Sequence, residues 1–173
     1  MLDYIKQNWL SLLIITLLIG YLLYQRIPLY ISNSKLENQE ITVNLRFQKL
    51  NGEIITLEDL KNKTIVLNFW ATWCMPCKIE MPLLENTYND LKDHVEILGI
   101  TIEEKDTVIR YLENHKVSYP IILDTDYSIT EYFNIMGYPS IIIIKDNKIV
   151  SASTGLNPLI KWKIRWYATN SIF

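Results

Sequence analysis

The sequence predicts an α/β fold: one mixed central sheet flanked by helices and preceded by a single transmembrane helix. Three observations predict it. Residues 9–24 form an apolar run without a charge. Beyond it, short apolar runs alternate with stretches of helical periodicity. The only two cysteines, Cys74 and Cys77, stand where one apolar run gives way to a helix.

The anchor is assigned to residues 1–31. The run 9–24 is somewhat shorter than the about 20 residues that cross a bilayer. Ile27, Leu29, Tyr30 and Ile31 extend it if Arg26 reaches out to the headgroups. Trp9, Tyr21 and Tyr24 stand where interfacial aromatics belong. A cleaved signal peptide is the competing reading, but Gln25-Arg26-Ile27-Pro28 offers no small-x-small cleavage site, so an uncleaved signal anchor is expected. No cysteine follows closely, which excludes a lipoprotein anchor. Lys6 precedes the run and Arg26 and Lys35 follow it, so positive charge sets no orientation. Residues 32–39 are polar and read as a linker to a domain over 40–173.

Within that domain, residues 41–48 and 53–57 flank Asn51-Gly52, a two-residue hairpin signal. Residues 64–69 read as a buried strand. Residues 76–91 read as a helix, with Ile79, Leu83, Leu84, Thr87 and Leu91 at helical spacing. Residues 95–102 form a second buried strand. Asp106 is placed to cap a helix ending near Asn114. Residues 119–123 add a strand and 129–133 a short helix. Residues 140–144 and 149–153 flank Asp146-Asn147, a second hairpin. Asn157-Pro158 supplies a cap and a first-turn proline before a final helix.

Composition removes several function classes. Hydrophobic residues make up 49% of the chain and charged residues 21%, which excludes wholesale disorder. A net charge of −2 carries no basic surplus, so no nucleic-acid partner is expected. A disulfide scaffold spreads several cysteines along the chain, whereas here there is one pair. Zinc needs about four ligands, and the only histidines, His94 and His115, do not supply them. A redox dithiol needs one pair and no other cofactor or metal.

The stretch NFWATWCMPCKIEMP covers residues 68–82. A strand ends, the chain turns, and a helix begins at Cys74. Free backbone N–H groups and the helix dipole lower a thiol pKa there. Cys77 follows one turn later. Pro76 sits in the first turn, where a missing N–H costs least.

This stretch resembles the active-site motif of the thioredoxin superfamily, and within it the TlpA/ResA-type membrane-anchored thiol–disulfide oxidoreductases. Those share Asn-Phe-Trp, a Trp-Cys-x-Pro-Cys core and a following Glu-x-Pro. The resemblance covers about residues 41–160. It implies a thioredoxin-like fold with an N-terminal β-hairpin extension, held on the extracytoplasmic side of the cell membrane. It implies Cys74 as nucleophile and Cys77 as resolving thiol. Gly137-Tyr138-Pro139-Ser140 matches a second motif of the group, which implies a cis Pro139 facing the cysteines. An ordinary trans turn is the alternative. Trp73, Met75, Pro76, Tyr138 and Pro139 are then the substrate-binding residues. Tyr138 departs from the smaller residue of many relatives, and its ring would narrow or re-aim the groove. Asn68 stands where thioredoxin has an ionisable aspartate. The resemblance therefore gives proton transfer to Glu80; the alternative is a solvated glutamate near Lys78 or Lys92.

Two further segments have plainer readings. Glu103, Glu104 and Asp106 read as a solvated acidic turn. Lys161 to Tyr167 reads as the last helix of the fold with its aromatics on the sheet, against an interface-seeking amphipathic segment.

The leading functional expectation is an oxidoreductase that reduces disulfides in exported proteins, with apocytochrome c as one example of substrate. Electrons would come from a CcdA-type membrane thiol carrier. The uncharged Met75 favours a reductant. A disulfide-forming oxidase is the alternative, since direction depends on reduction potential. A peroxidase on the same fold needs Thr or Ser where Ala71 stands. A thioredoxin-fold metal chaperone separates its cysteines by three residues and adds a distant histidine.

Overall fold

A computed structural model describes residues 2–169. Met1 and residues 170–173 lie outside the described residues. So do the side chains of residues 2–7 and Leu29, including Lys6, which entered the reading of the anchor.

Helix α1 (Leu2–Leu36) carries the apolar run. Its span Asn8–Leu36 is long and apolar enough to cross a membrane, and none of its apolar window is buried. Residues 32–36, expected in a linker, instead complete the helix. The reason is local: Leu36 is buried in the domain core. Asn134 Nδ2 donates to Ser32 Oγ at 3.1 Å, and Thr154 Oγ1 donates to Asn33 Oδ1 at 3.3 Å. Just beyond the helix, the Ala152 N–H reaches Glu37 Oε1 at 3.2 Å.

Strands β1 (Arg46–Gln48) and β2 (Ile54–Thr56) pair antiparallel as a separate hairpin. Its loop is longer by one residue than the Asn51-Gly52 signal suggested. Gly52 N–H donates to the Lys49 carbonyl at 2.8 Å, and Gly52 sits at φ 89°. Leu50, Asn51 and Gly52 thus form a three-residue loop closed by a left-handed glycine, the second commonest hairpin closure. Residues 41–45 are not strand.

The main sheet contains β3 (Thr64–Phe69), β4 (Val95–Thr101), β5 (Ile121–Leu123), β6 (Ser140–Lys145) and β7 (Lys148–Thr154), in the order β5-β4-β3-β6-β7. β3, β4 and β5 run parallel; β6 and β7 are antiparallel additions. Every residue of β3 and β4 is buried, as continuous apolar runs demand in the middle of a two-sided sheet. β6 and β7 join through Asp146 and Asn147, at φ 50° and 59°, the positive-φ pair that a two-residue hairpin turn requires. Both sheet edges are covered. Leu50 N–H bonds the Ile121 carbonyl at 2.9 Å beside β5, and Asn38 N–H bonds the Ile149 carbonyl at 2.8 Å beside β7.

Helices α2 (Met75–Leu91), α3 (Lys105–Asn114), α4 (Ser128–Tyr132) and α5 (Ile160–Thr169) flank the sheet. Glu104, not Asp106, takes the N-cap position of α3, and Asp106 lies in its first turn. α5 buries Ile160 and Ile164 and leaves Trp162 and Trp166 exposed, so its isoleucines, not its tryptophans, meet the sheet. Lys161 Nζ lies 2.8 Å from Asp90 Oδ2 and ties α5 to α2.

Asp124 organises the short helix α4. Its buried carboxylate accepts from the N–H groups of Ile129 at 3.0 Å and Thr130 at 2.8 Å. Removing an acceptor that satisfies buried donors costs about 1–3 kcal/mol. Asp124→Ala should therefore lower the midpoint of thermal unfolding by several degrees, read by circular dichroism, with the fold retained. An unchanged midpoint would mean that α4 stands without it.

Candidate active site

Sequence places both cysteines at the start of α2, and the structure shows why that place is chemically distinct. Cys74 is the N-cap of α2, with an extended backbone at φ −80° and ψ 102°. The Cys77 N–H points at Cys74 Sγ, 3.2 Å away. This N–H and the start of the helix place positive partial charge beside Cys74 Sγ. Cys74 and Cys77 form a disulfide with Cα atoms 5.3 Å apart, and both are buried. Their neighbours Trp73 and Met75 are exposed at 70% and 64%, so the dithiol lies beneath an apolar rim.

The turn before Cys74 is held from a place the sequence did not reveal. Glu103 accepts from the Thr72 N–H at 2.6 Å and from Thr72 Oγ1 at 2.7 Å. It is not a solvated loop acid. The signal was present in the strand register. β3 and β4 pair Phe69 with Ile100, and three further residues along each chain bring Thr72 to Glu103.

The Tyr138–Pro139 peptide bond is cis, as the resemblance implied. Pro139 is buried and its carbonyl accepts from the Gly155 N–H at 2.8 Å. The Tyr138 ring packs edge-on against Trp73, with centroids 5.9 Å apart. The bulky ring thus bridges the cysteine turn and the cis-proline loop. Met75, Pro76, Tyr138 and Pro139 line one groove, and Trp73 borders it through Tyr138.

Glu80 is buried at 1% exposure and pairs with neither Lys78 nor Lys92. One carboxyl oxygen, Oε1, accepts from the Asn157 N–H at 3.0 Å. The other, Oε2, has no protein partner among the described residues. Burial pushes the Glu80 carboxyl above the usual range, and the Asn157 hydrogen bond opposes this only in part. Asn68 Oδ1, Trp70 Nε1 and the Tyr119 hydroxyl are further buried polar atoms without a hydrogen bond of good geometry among the described residues, and the Asn68 side chain lies within reach of the Tyr119 hydroxyl. Trp70 Nε1 and the Tyr119 ring both crowd Gly99, which pairs with Asn68. The layer beneath α2 is therefore polar at the level of Asn68, and Glu80 lies on the helix above the sheet. No cluster that could hold a metal ion occurs among the described residues.

Known proteins decide the family. The profile of the AhpC/TSA family matches residues 38–153. Thiol-disulfide oxidoreductase ResA of Bacillus subtilis is 32% identical over 147 residues, covering 83% of this chain and 81% of that protein. ResA of Halalkalibacterium halodurans is 33% identical over 156 residues, covering 87% and 88%. The chain belongs to the AhpC/TSA family and, within it, to the ResA-type thiol–disulfide oxidoreductases. Solved structures agree on the fold. The thioredoxin domain of a Bacteroides vulgatus thiol-disulfide oxidoreductase superimposes with a TM-score of 0.69 at 24% identity, covering 78% of this chain and 99% of that one. StoA from Bacillus subtilis gives 0.64 at 21% identity, covering 74% and 98%. This ResA-type protein is an enzyme of dithiol–disulfide exchange, with Cys74 and Cys77 as its pair.

The buried carboxyl has a thermodynamic consequence. An unfolded glutamate titrates near 4.3, and the folded Glu80 titrates higher. Between those values the folded state holds more protons than the unfolded one, so stability falls as pH rises through the window. Below the unfolded value the contribution is fully present. Glu80→Gln removes the titration. Denaturant unfolding of the oxidised proteins from about pH 4 to neutrality should show the wild type losing stability relative to the variant. Parallel curves would return Glu80 to the behaviour of a solvated acid.

Proposed function

We propose that this enzyme is an extracytoplasmic, membrane-anchored reductase of disulfides in exported proteins. The observation that carries the reading is the buried Glu80 carboxyl one helical turn from a dithiol whose first sulfur caps the helix. α1 serves as the anchor, and its apolar span supports that assignment. The relatives' name, thiol-disulfide oxidoreductase ResA, supports the reaction class. Apocytochrome c is one substrate that fits the resemblance, and a CcdA-type membrane thiol carrier is the electron donor it suggests.

The reaction balances in two steps. The Cys74 thiolate attacks one sulfur of the substrate disulfide, forms a mixed disulfide and expels a substrate thiolate. The Cys77 thiol then loses its proton and attacks Cys74, which expels the second thiolate. Substrate gains two electrons from the enzyme and two protons, one passed on from Cys77 and one taken from solvent, and the enzyme ends as the Cys74–Cys77 disulfide. Glu80 takes the proton from Cys77 and returns it to a leaving thiolate. A carboxyl with a raised pKa is matched to both halves of that task. The substrate chain lies beside Pro139, with Trp73, Met75, Pro76 and Tyr138 around it.

Removing the resolving thiol should arrest the first step. Full-length Cys77→Ala expressed in its native membrane should accumulate mixed disulfides on Cys74 with exported proteins. Equal trapping by Cys74→Ala would overturn the assignment of roles, and trapping of cytoplasmic proteins alone would overturn the sidedness. Direction is read from the reduction potential against glutathione. A reductase should lie nearer the about −270 mV of thioredoxin than the about −120 mV of a strong periplasmic oxidant. A value near the latter would make the enzyme a disulfide-forming oxidase.

A further inference from the structure

The anchor helix reaches the active-site groove. That groove, about 620 Å³ in volume, takes Met75 and Ile79 from α2, Met136 and Pro139 from the loop before β6, Leu156 from the segment after β7, and Arg26 from α1. Arg26 is the only charged side chain among its lining residues. Arg26 lies two residues beyond the uncharged run and is exposed. None of the ion pairs or hydrogen bonds among the described residues engages its guanidinium.

The docking of the helix sets where Arg26 stands. Asn33 follows Arg26 by seven residues, two helical turns on the same face. Asn33 bonds Thr154, and a Cβ placed on the next residue, Gly155, would stand 3.7 Å from Arg26 Nη1. Gly155 in turn holds the cis-proline carbonyl. Arg26 therefore stands over the backbone that positions the bound substrate chain.

A polypeptide laid in this groove would strip water from an unpaired guanidinium between methionine, isoleucine and leucine side chains. That is unfavourable unless the incoming chain brings an anion, and the guanidinium fork suits a carboxylate. We propose that Arg26, supplied by the anchor helix, is a specificity-determining residue that receives the carboxylate of an aspartate or glutamate close in sequence to the substrate's reactive cysteine. The proposal rests on the reading of the groove as the place where a disulfide-bearing polypeptide binds.

The test uses the full-length enzyme in nanodiscs of neutral phosphatidylcholine. Three disulfide peptides differ at one position near the reactive cysteine, carrying Asp, Asn or Lys. kcat/KM is measured for wild type, Arg26→Gln and Arg26→Glu. Wild type should favour the Asp peptide over the Asn peptide by about threefold to tenfold at low salt, and less at high salt. Arg26→Gln should bring that ratio towards one, and Arg26→Glu should favour the Lys peptide over the Asp peptide. A wild-type ratio near one would overturn the proposal, as would a preference that survives Arg26→Gln. So would an equal loss for all peptides in both variants, the mark of a packing role. A rate set by added anionic lipid, with no discrimination among peptides, would assign Arg26 to a headgroup phosphate instead. Failure of the reductase reading looks different: oxidised peptides of all three kinds turn over slowly. The same ratios are then taken from the reduced peptides with oxidised enzyme.

Discussion

Six consecutive buried residues in β3 leave the chain no freedom until Trp70, and the site is built from what the two neighbouring strands deliver at that level. On one side β4 runs parallel, and its register brings Glu103 beside Thr72. On the other side β6 runs antiparallel with Ser140 opposite Phe69, so Pro139 meets the end of β3. The cysteine turn is thus clamped by a carboxylate on its left and faced by a cis-proline on its right. Neither neighbour is close in sequence. Both follow from hydrogen-bond register in the middle of a sheet, where a slip of one residue would move every side chain to the opposite face.

Within that frame Glu80 is the costly element. Burial pushes a carboxyl with one oxygen bonded to a backbone N–H, and the other unpartnered among the described residues, toward its neutral form. The sequence keeps it beside a dithiol, and the polar atoms of Asn68, Trp70 and Tyr119 lie in the sheet layer beneath the same helix. Asn68 cannot take part as an acid, because an amide does not ionise.

Most of the fold was legible in the sequence, because it is governed by short-range signals. The residues of β3 and the turn at Asp146-Asn147 follow from apolar run length and from turn residues that tolerate positive φ. The cysteine pair, Pro139 and Glu80 were legible as motifs. What was not legible depends on contacts across the chain. Glu103 looked like one acid among three until the parallel register placed it under Thr72. Residues 32–36 looked like a linker because most of them are polar, yet the Ser32 and Asn33 side chains bond the domain and Leu36 is buried in it. Trp162 and Trp166 looked like core aromatics, whereas the helix phase set by Ile160 and Ile164 turns them outward. Polarity alone does not distinguish a residue facing water from one facing a hydrogen-bond partner.

The docking of α1 alters what kind of tether this is. A flexible linker would let the redox domain sample many orientations, with an effective concentration at a partner set by linker length. Here the last turn of the helix is bonded to β7 and the loop before β6, and Leu36 is sunk in the core. The C-terminal end of α1 is therefore packed against the domain that carries the groove. The same contact that fixes the helix also buttresses the substrate loop: Asn33 meets Thr154, Thr154 meets Ser140 at 2.9 Å, and Ser140 donates to the Gly137 carbonyl at 2.7 Å, one residue before the cis bond. Arg26 of α1 lines the same groove as Met75, Pro76 and Pro139, so the helix that precedes the redox domain is also part of the groove's wall.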